Sequence, residues 1–142
     1  MGIFLVSILK SPQRFIQELP HAKALGMQFS KIGSGSAEMY INYDKKFIGD
    51  PESGVIHGGV IFALLDSCCG AAVLCHKKHV GRTATIDLRV DYMRPATPDQ
   101  TIIARAKCYK VTRSVAFVKA AAFDEDEEKP MATAVGAFMS GA

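Results

Sequence analysis

The amino-acid sequence predicts an α+β fold in which a curved antiparallel sheet of about six strands packs against one main helix. The helix is predicted from residues 57–75, an apolar segment rich in Ala and Leu that is too long for one strand. A strand is predicted at residues 85–92, where even positions are apolar and odd positions polar, as in a half-buried strand. Because the helix is apolar almost all round, the sheet, the N-terminal segment or a second subunit must cover every side of it.

The other elements follow from turn signals between apolar runs. Pro12 and Pro20 divide residues 4–25 into short helical segments. Gly-Ser-Gly-Ser at 33–36 predicts a hairpin turn, and residues 44–56 are expected to form a loop. The acidic run at 124–128 is expected to be a solvated turn rather than a metal-binding loop. The remaining strands are expected at about 27–32, 37–43, 101–111, 114–123 and 130–139.

Length and composition predict one domain over residues 1–142, with an N-terminal helical segment at 1–25. Of the 142 residues, 49% are hydrophobic and 22% charged, which supports a buried core and excludes a disordered chain. The net charge of +3 argues against a nucleic-acid partner. The longest apolar run, residues 60–75, contains Asp66 and is short for a membrane span, so a soluble protein is expected.

The cysteines indicate a reducing compartment. Cysteines stand at positions 68, 69, 75 and 108 without a Cys-x-x-Cys pair, and the N-terminus lacks the basic residues and cleavage pattern of a signal peptide. Reduced thiols in a cytoplasmic protein are therefore expected. Cys75 and His79 have the i, i+4 spacing of a helix face, but two ligands do not complete a zinc site, so no bound metal is expected.

Two features of the predicted helix indicate a chemical role: a pair of glycines at its start and a carboxylate in its middle. Gly58 and Gly59 open the helix although Gly is a poor helix former, and exposed N–H groups at a helix start bind anions and polarised carbonyl oxygens. Asp66 is the only charged residue between His57 and His76, and a carboxylate on an apolar helix is costly unless it is partnered or used. Ordinary explanations stay open: a tight glycine turn, a capping His57 and a core hydrogen bond for Asp66.

The stretch from His57 to Asp66 resembles the hotdog-fold acyl-CoA thioesterases, in particular the phenylacetic-acid-pathway (PaaI-like) subfamily. That family has His-Gly-Gly at the start of its central helix and an acidic residue nine positions after the His, here residues 57–59 and Asp66. Residues 91–96, Asp-Tyr-Met-Arg-Pro-Ala, are similar to a strand end of the family. The resemblance covers residues 25–140. It implies a hotdog fold and hydrolysis of acyl-CoA to free acid and CoA, with no cofactor beyond the coenzyme A of the substrate.

The resemblance also implies a role for each matching residue. Asp66 would be the general base or the nucleophile, and the Gly58 N–H the oxyanion donor at the positive end of the helix. His57 would orient the loop and Gly59 would complete the motif. Thr85 matches a hydroxyl position that helps to place the water in relatives.

Geometry adds a separate prediction about assembly. Gly58 and Asp66 are eight residues apart in the sequence, or about 12 Å along a helix axis. They cannot both contact one carbonyl carbon. Two such helices packed antiparallel about a twofold axis would bring Gly58 of one chain near Asp66 of the other. We predict a homodimer, or a dimer of dimers, whose sites are shared between chains.

Substrate contacts are less well specified by the sequence. Arg94, Arg113 and Ser114 lie at strand ends beside turns and are expected to contact the phosphates of coenzyme A. Close relatives often carry Asn six residues before the His; Pro51 stands there, so a second oxyanion contact would have to come from elsewhere. The helix face near Asp66, with residues 62, 63, 69 and 70, is compatible with aromatic or medium aliphatic acyl groups.

Other functions were weighed against thioester hydrolysis. Hotdog dehydratases typically place their catalytic His in a His-Phe-Pro setting, which this sequence lacks. Regulators of this fold carry an added DNA-binding domain, for which the 25 residues before the first strand are too few. A non-catalytic acyl-CoA-binding hotdog protein and an inactive interaction subunit stay open.

Overall fold

The computed structural model describes residues 11–141. Two short helices come first, α1 at Pro12–Glu18 and α2 at Pro20–Leu25. Each begins with a proline, whose missing N–H costs no intrahelical hydrogen bond at that position. The predicted break at Pro20 is confirmed. The helical segment predicted at residues 4–10 lies outside the described residues.

The described chain contains eight strands, six of which form one antiparallel sheet. The strands are β1 Gln28–Gly33, β2 Ser36–Ile41, β3 Ile48–Asp50, β4 Val55–Ile56, β5 Thr85–Tyr92, β6 Ile102–Val111, β7 Val115–Phe123 and β8 Ala132–Met139. Six of them pair in the order β1-β2-β6-β7-β8-β5, while β3 and β4 form a separate small hairpin. The predicted turn between β1 and β2 contains Gly35 at φ +71°, a conformation that glycine adopts without strain. The predicted α+β fold with a six-stranded sheet is confirmed.

The main helix, α3 at Gly58–Leu74, packs on one face of this sheet, chiefly against β2, β6 and β7. His57 and Cys75 cap its two ends, in agreement with the segment predicted at 57–75. Apolar side chains that are fully buried meet between helix and sheet: Met39, Ile41, Leu64, Leu65, Cys68, Cys69, Val73, Ile102 and Val118. Within residues 11–141, no helix is both long enough and apolar enough to span a membrane.

The segment before α3 is more ordered than the predicted loop. A 3-10 helix at Lys45–Phe47 leads into the β3–β4 hairpin, in which Ile48 pairs with Ile56. Gly49 lies so close to His57 that an added Cβ would be 2.7 Å from the His57 Cα, so only glycine fits there. The His57 N–H donates to the Phe47 carbonyl at 2.8 Å. These contacts set where His57 stands and where α3 begins.

Two sequence predictions about burial are wrong. Strand β5 is less buried than predicted, with Ile86 55% and Tyr92 51% exposed, because it is an edge strand beside an uncovered side of α3. The acidic run at 124–128 does form a turn between β7 and β8, but its first residue is not solvated. The Asp124 side chain is only 1% exposed and forms an ion pair with Arg94.

Candidate active site

One face of α3 is left uncovered by the sheet, and it carries Asp66. The residues on this face recur at helical spacing and are partly or largely exposed: Gly59, Phe62, Ala63, Asp66, Ser67, Gly70 and Leu74. Phe62 is 39% exposed. The expectation that α3 would be covered on all sides is therefore not met by residues 11–141 alone. Cys69, predicted to lie near a substrate, is instead fully buried on the sheet side.

The carboxylate of Asp66 is held by Thr85. The Thr85 hydroxyl donates to Asp66 Oδ1 at 2.7 Å, so the first residue of β5 contacts the middle of α3. A β-bulge at Thr85–Asp87 shifts the register of β5 against β8 at this point. Asp66 and Thr85, two predicted site residues that are 19 positions apart in the sequence, are thus in direct contact.

A cleft of about 210 Å³ opens beside Asp66. Its walls are largely apolar, including Leu74 and Phe138, and α1 and the residue after it form one side with Ile16 and Leu19. Thr83 also lines it, and its hydroxyl oxygen is the one buried side-chain N or O atom of residues 11–141 that lacks a hydrogen-bond partner. A buried hydroxyl without a protein partner is usually satisfied by water.

The neighbouring thiol of Cys69 is not a second nucleophile. Burial and, to a lesser degree, the nearby Asp66 carboxylate and Cys108 thiol raise the pKa of Cys69 to about 12. A thiol with so high a pKa is protonated at neutral pH, and the thiolate is the reactive form.

The start of α3 carries backbone N–H groups that differ in whether they are hydrogen-bonded. The His57 Nδ1 accepts the Gly59 N–H at 2.8 Å, so His57 caps the helix and that N–H is occupied. The His57 carbonyl accepts the Val60 N–H at 3.0 Å. Among the hydrogen bonds of the described residues, none uses the Gly58 N–H. It is therefore free for a ligand at the positive end of the helix.

Gly58 lines a second cleft, of about 380 Å³, formed between the start of α3 and the end of β5. Its walls include Ile56, Ile61 and Met93. This cleft and the Asp66 cleft have no lining residue in common. Within one chain, Gly58 and Asp66 therefore face different clefts, as their separation along the helix requires.

Arg94 has a structural role that the sequence did not predict. Its guanidinium donates twice to the buried Asp124 carboxylate, at 2.7 and 2.8 Å, and also to the carbonyls of Lys129 and Pro95. Because every N–H of the guanidinium is engaged within the chain, the expected contact of Arg94 with a phosphate finds no support. The Arg94 hydrogen bonds hold the pKa of Asp124 well below its usual range, against the opposing effect of burial.

Arg113 and Ser114 form the exposed turn between β6 and β7. The Ser140 N–H donates to the Ser114 carbonyl at 3.0 Å, and the Gly141 N–H donates to the Val80 carbonyl at 2.8 Å. This turn therefore lies beside the segment at 75–84 that joins α3 to β5, at the end of the sheet where Thr85 stands. We call these connections (75–84, 112–114 and 140–141) the basic end, because they carry Lys77, Lys78, Arg82 and Arg113 and no Asp or Glu.

Of the Cys75–His79 pair considered for a metal, the histidine has other partners. Both ring nitrogens of His79 are engaged, Nδ1 with the Ser140 hydroxyl at 2.8 Å and Nε2 with the Gly81 carbonyl at 2.9 Å. In the part of the chain that the structure describes, no three His, Cys, Asp or Glu residues cluster as metal ligands would.

Two features of the site were missed by sequence reasoning. The Tyr92 hydroxyl donates to the Gly58 carbonyl at 2.8 Å, whereas the alternation in β5 predicts only an apolar residue at position 92. Asp124 was hidden in a run of five acidic residues, where nothing distinguishes the buried member. The signal available for Tyr92 was its place at the end of a strand, next to Arg94-Pro95.

Comparison with known proteins identifies the family. The family model of the Thioesterase superfamily matches residues 53–131. The sequence is 27% identical to the medium/long-chain acyl-CoA thioesterase YigI of Escherichia coli K12, and the match covers 91% of this chain and 90% of that protein. The protein of the same name from Salmonella typhimurium matches with the same identity and coverage.

Solved structures agree with the fold. A Pseudomonas aeruginosa protein superposes with a TM-score of 0.81 at 38% identity, covering 93% of this chain and 98% of that one. The E. coli PaaI protein from the phenylacetic acid degradation operon superposes with a TM-score of 0.81 at 18% identity, covering 96% and 94%. At that identity the likeness to PaaI is one of fold. With its hotdog architecture and the matching family model, this chain belongs to the thioesterase superfamily and is a thioester hydrolase, and its fold is PaaI-like.

Proposed function

We propose that this protein hydrolyses acyl-CoA thioesters to a free acid and coenzyme A, with Asp66 as the reacting carboxylate. The observation that carries the proposal is the Asp66 carboxylate, which is held by Thr85 at the mouth of an apolar cleft on the uncovered face of α3. The similarity to YigI, a protein named as an acyl-CoA thioesterase, supports the choice of substrate.

Asp66 can act in either of two ways. As a general base it takes a proton from water while that water adds to the thioester carbonyl; the C–S bond then breaks and the CoA sulfur leaves with a proton. As a nucleophile it attacks the carbonyl itself, expels CoA and forms a mixed anhydride, which water then hydrolyses. Both routes need water near Asp66, and the cleft beside the carboxylate leaves room for it. Thr85 occupies Oδ1 and leaves Oδ2 to the substrate or the water.

The Gly58 N–H is the proposed oxyanion donor. It has no partner among the described residues and stands in the first turn of α3, where the helix dipole favours a developing negative charge. Gly59 is excluded as the donor in this state because His57 holds its N–H. Pro51, which lacks an N–H and a polar side chain, supplies no second contact, so any second donor must come from another residue.

The two groups meet in an assembly of two chains. The Asp66 cleft and the Gly58 cleft are separate within one chain, so a complete site needs Asp66 of one protomer and Gly58 of its partner. The uncovered face of α3, with Phe62 exposed, and the exposed Ile86 on the edge strand β5 support a twofold interface there. We propose a homodimer or a dimer of dimers with antiparallel α3 helices.

The basic end is suited to the phosphates of coenzyme A. Among the ion pairs of residues 11–141, none involves Lys77, Lys78 or Arg113. At the opposite end of the sheet, the turn at 124–131 is strongly acidic, so the molecule is electrically polar despite its small net charge. We therefore propose Arg113 and Ser114 as phosphate contacts, whereas the Arg94 guanidinium is already bound by Asp124.

The Asp66 cleft supports an acyl chain of aliphatic or aromatic character. Gly70, one helical turn after Asp66, leaves room beside Phe138, and Leu74 extends the apolar wall along α3. The relative YigI is named for medium and long acyl chains. The four free cysteines support a cytoplasmic location, where thiols stay reduced.

A pair of variants at Gly58 tests the proposal. Gly58→Pro removes the N–H and adds a pyrrolidine ring, at a first helical position that accepts proline. His57 already has the extended backbone, φ −57° and ψ 133°, that a following proline requires. Gly58→Ala is the matched control: it keeps the N–H and adds a Cβ that would lie 3.3 Å from the Tyr92 ring. Against a panel of acyl-CoA thioesters, we expect Gly58→Pro to turn over about 10²-fold more slowly than Gly58→Ala.

The outcomes separate the candidate functions. Equal kcat in folded Gly58→Pro and Gly58→Ala proteins would refute the oxyanion donor. Wild-type protein that binds acyl-CoA and hydrolyses none of the panel would favour the non-catalytic binding protein, and one that neither binds nor hydrolyses would favour the interaction subunit.

A further inference from the structure

The peptide group between Gly58 and Gly59 is held at both ends by side chains. Its carbonyl accepts the Tyr92 hydroxyl at 2.8 Å, and its N–H donates to His57 Nδ1 at 2.8 Å. The preceding peptide, which carries the Gly58 N–H, is fixed by the bond from Val60 to the His57 carbonyl. Glycine gives this stretch more backbone freedom than any other residue would, so such bonds determine where the Gly58 N–H points.

Tyr92 is itself well anchored. The next residue, Met93, donates its N–H to the Met131 carbonyl at 2.7 Å, and Arg94 forms an ion pair with the buried Asp124. The Tyr92 ring lies against Gly58, since an added Cβ there would be 3.3 Å from the Tyr92 Cε1. The hydroxyl therefore reaches the start of α3 from a fixed strand end, although half of the side chain is exposed.

Resting on the proposed function, we propose that Tyr92 is a positioning residue for thioester hydrolysis: by holding the Gly58 carbonyl it directs the Gly58 N–H at the thioester carbonyl oxygen. Tyr92 touches neither the reacting atoms nor water in this role; it acts through the backbone of Gly58. Burial raises the pKa of Tyr92, so the hydroxyl stays a donor at neutral and mildly alkaline pH.

Tyr92→Phe tests this role because it removes the hydroxyl and keeps the ring. A misdirected donor weakens transition-state binding more than substrate binding. We expect kcat to fall about fivefold to tenfold while KM for the best acyl-CoA changes less than about twofold. Tyr109→Phe is the matched control, since Tyr109 is a half-exposed tyrosine on β6 far from α3's first turn, and its kcat should equal that of the wild type.

A double variant distinguishes positioning from general stabilisation. In the Gly58→Pro protein the donor is absent, so adding Tyr92→Phe should cost less than about twofold in kcat. A full fivefold to tenfold loss in that background would overturn the proposal, as would a wild-type kcat for Tyr92→Phe or a loss of activity that merely follows a loss of folded protein.

If the wild type hydrolyses no thioester, the proposed function fails first, and the hydrogen bond is then tested alone. Amide proton shifts and exchange rates of Gly58 and Gly59, measured by NMR, should change in Tyr92→Phe and stay unchanged in Tyr109→Phe. Unchanged Gly58 and Gly59 amides in Tyr92→Phe would overturn the positioning role.

Discussion

The two faces of α3 look alike in sequence and differ in structure. On the sheet side, Leu64, Leu65, Cys68 and Cys69 are fully buried. The opposite face is also largely apolar, yet it leaves Phe62 exposed and carries the helix's one carboxylate. An apolar helix segment therefore does not tell which side is packed. The polar and glycine exceptions mark the uncovered side, which we propose for chemistry and for a partner chain.

The largest difference between the two faces of α3 should appear in the free energy of unfolding. Leu65→Ala on the covered face should lower the free energy of unfolding by about 3–4 kcal/mol, because it leaves a cavity between helix and sheet. Ser67→Ala on the uncovered face should change it by less than about 0.5 kcal/mol. Urea unfolding of both variants measures the difference, and similar losses at the two positions would mean that the uncovered face is packed as tightly as the covered one.

Catalytic activity should depend more on the uncovered face of α3 than on the covered one. Asp66→Asn is nearly isosteric and should lower kcat by at least about 10²-fold, a loss of about 2.7 kcal/mol in transition-state stabilisation, with folding unchanged. Asp91→Asn is the matched control, since Asp91 is an exposed carboxylate of β5 paired with Arg89. A folded Asp66→Asn protein with wild-type kcat would remove Asp66 from the mechanism.

The ion pair of Arg94 and Asp124, beside the Gly58 cleft, should make the free energy of unfolding depend on pH. Asp124→Asn should lower the free energy of unfolding by about 2 kcal/mol at pH 7, because it leaves Arg94 without its anion. The folded-state pKa of Asp124 is lowered, so the stabilisation exists above the unfolded value of about 3.9 and is lost as pH falls through the folded value. The gap between wild type and variant, followed by urea unfolding, should shrink below pH 3.9; a constant gap would exclude the charged pair as its cause.

A smaller effect is expected at Thr85. Thr85→Val keeps the shape and removes the hydroxyl that donates to Asp66 Oδ1. Loss of one such orienting bond should lower kcat about tenfold, or about 1.4 kcal/mol, with little change in KM. Thr85→Ser restores the hydroxyl and should recover most of the rate. A Ser variant as slow as the Val variant would show that packing by the methyl group, not the hydroxyl, accounts for the loss.

Periodicity was enough to predict most of the fold. The apolar run at 57–75 and the alternation at 85–92 correspond to α3 and β5, because both patterns arise from the repeat of the backbone itself. The β3–β4 hairpin was missed because its strands are two and three residues long and depend on packing around His57. No period exists in so short a segment.

The candidate site was less accessible to sequence reasoning. Asp66 was conspicuous as a charge in an apolar helix, but its contact with Thr85 depends on how β5 lies beside α3. The ion pair of Arg94 and Asp124 joins residues 30 positions apart, and Asp124 does not differ in type from the acidic residues that follow it. Such pairings are decided by tertiary structure, which a single sequence does not display.

Sharing of the site between chains is the central claim, and a mixed dimer tests it most directly. Asp66→Asn and Gly58→Pro protomers, each first shown to fold and to be inactive as a homodimer, are co-expressed and purified as a heterodimer. In a twofold dimer both lesions fall in one site and the other site is intact, so the heterodimer should recover about half of the wild-type kcat per dimer. A heterodimer as inactive as its parents, or a monomer in sedimentation at assay concentration, would contradict the shared site.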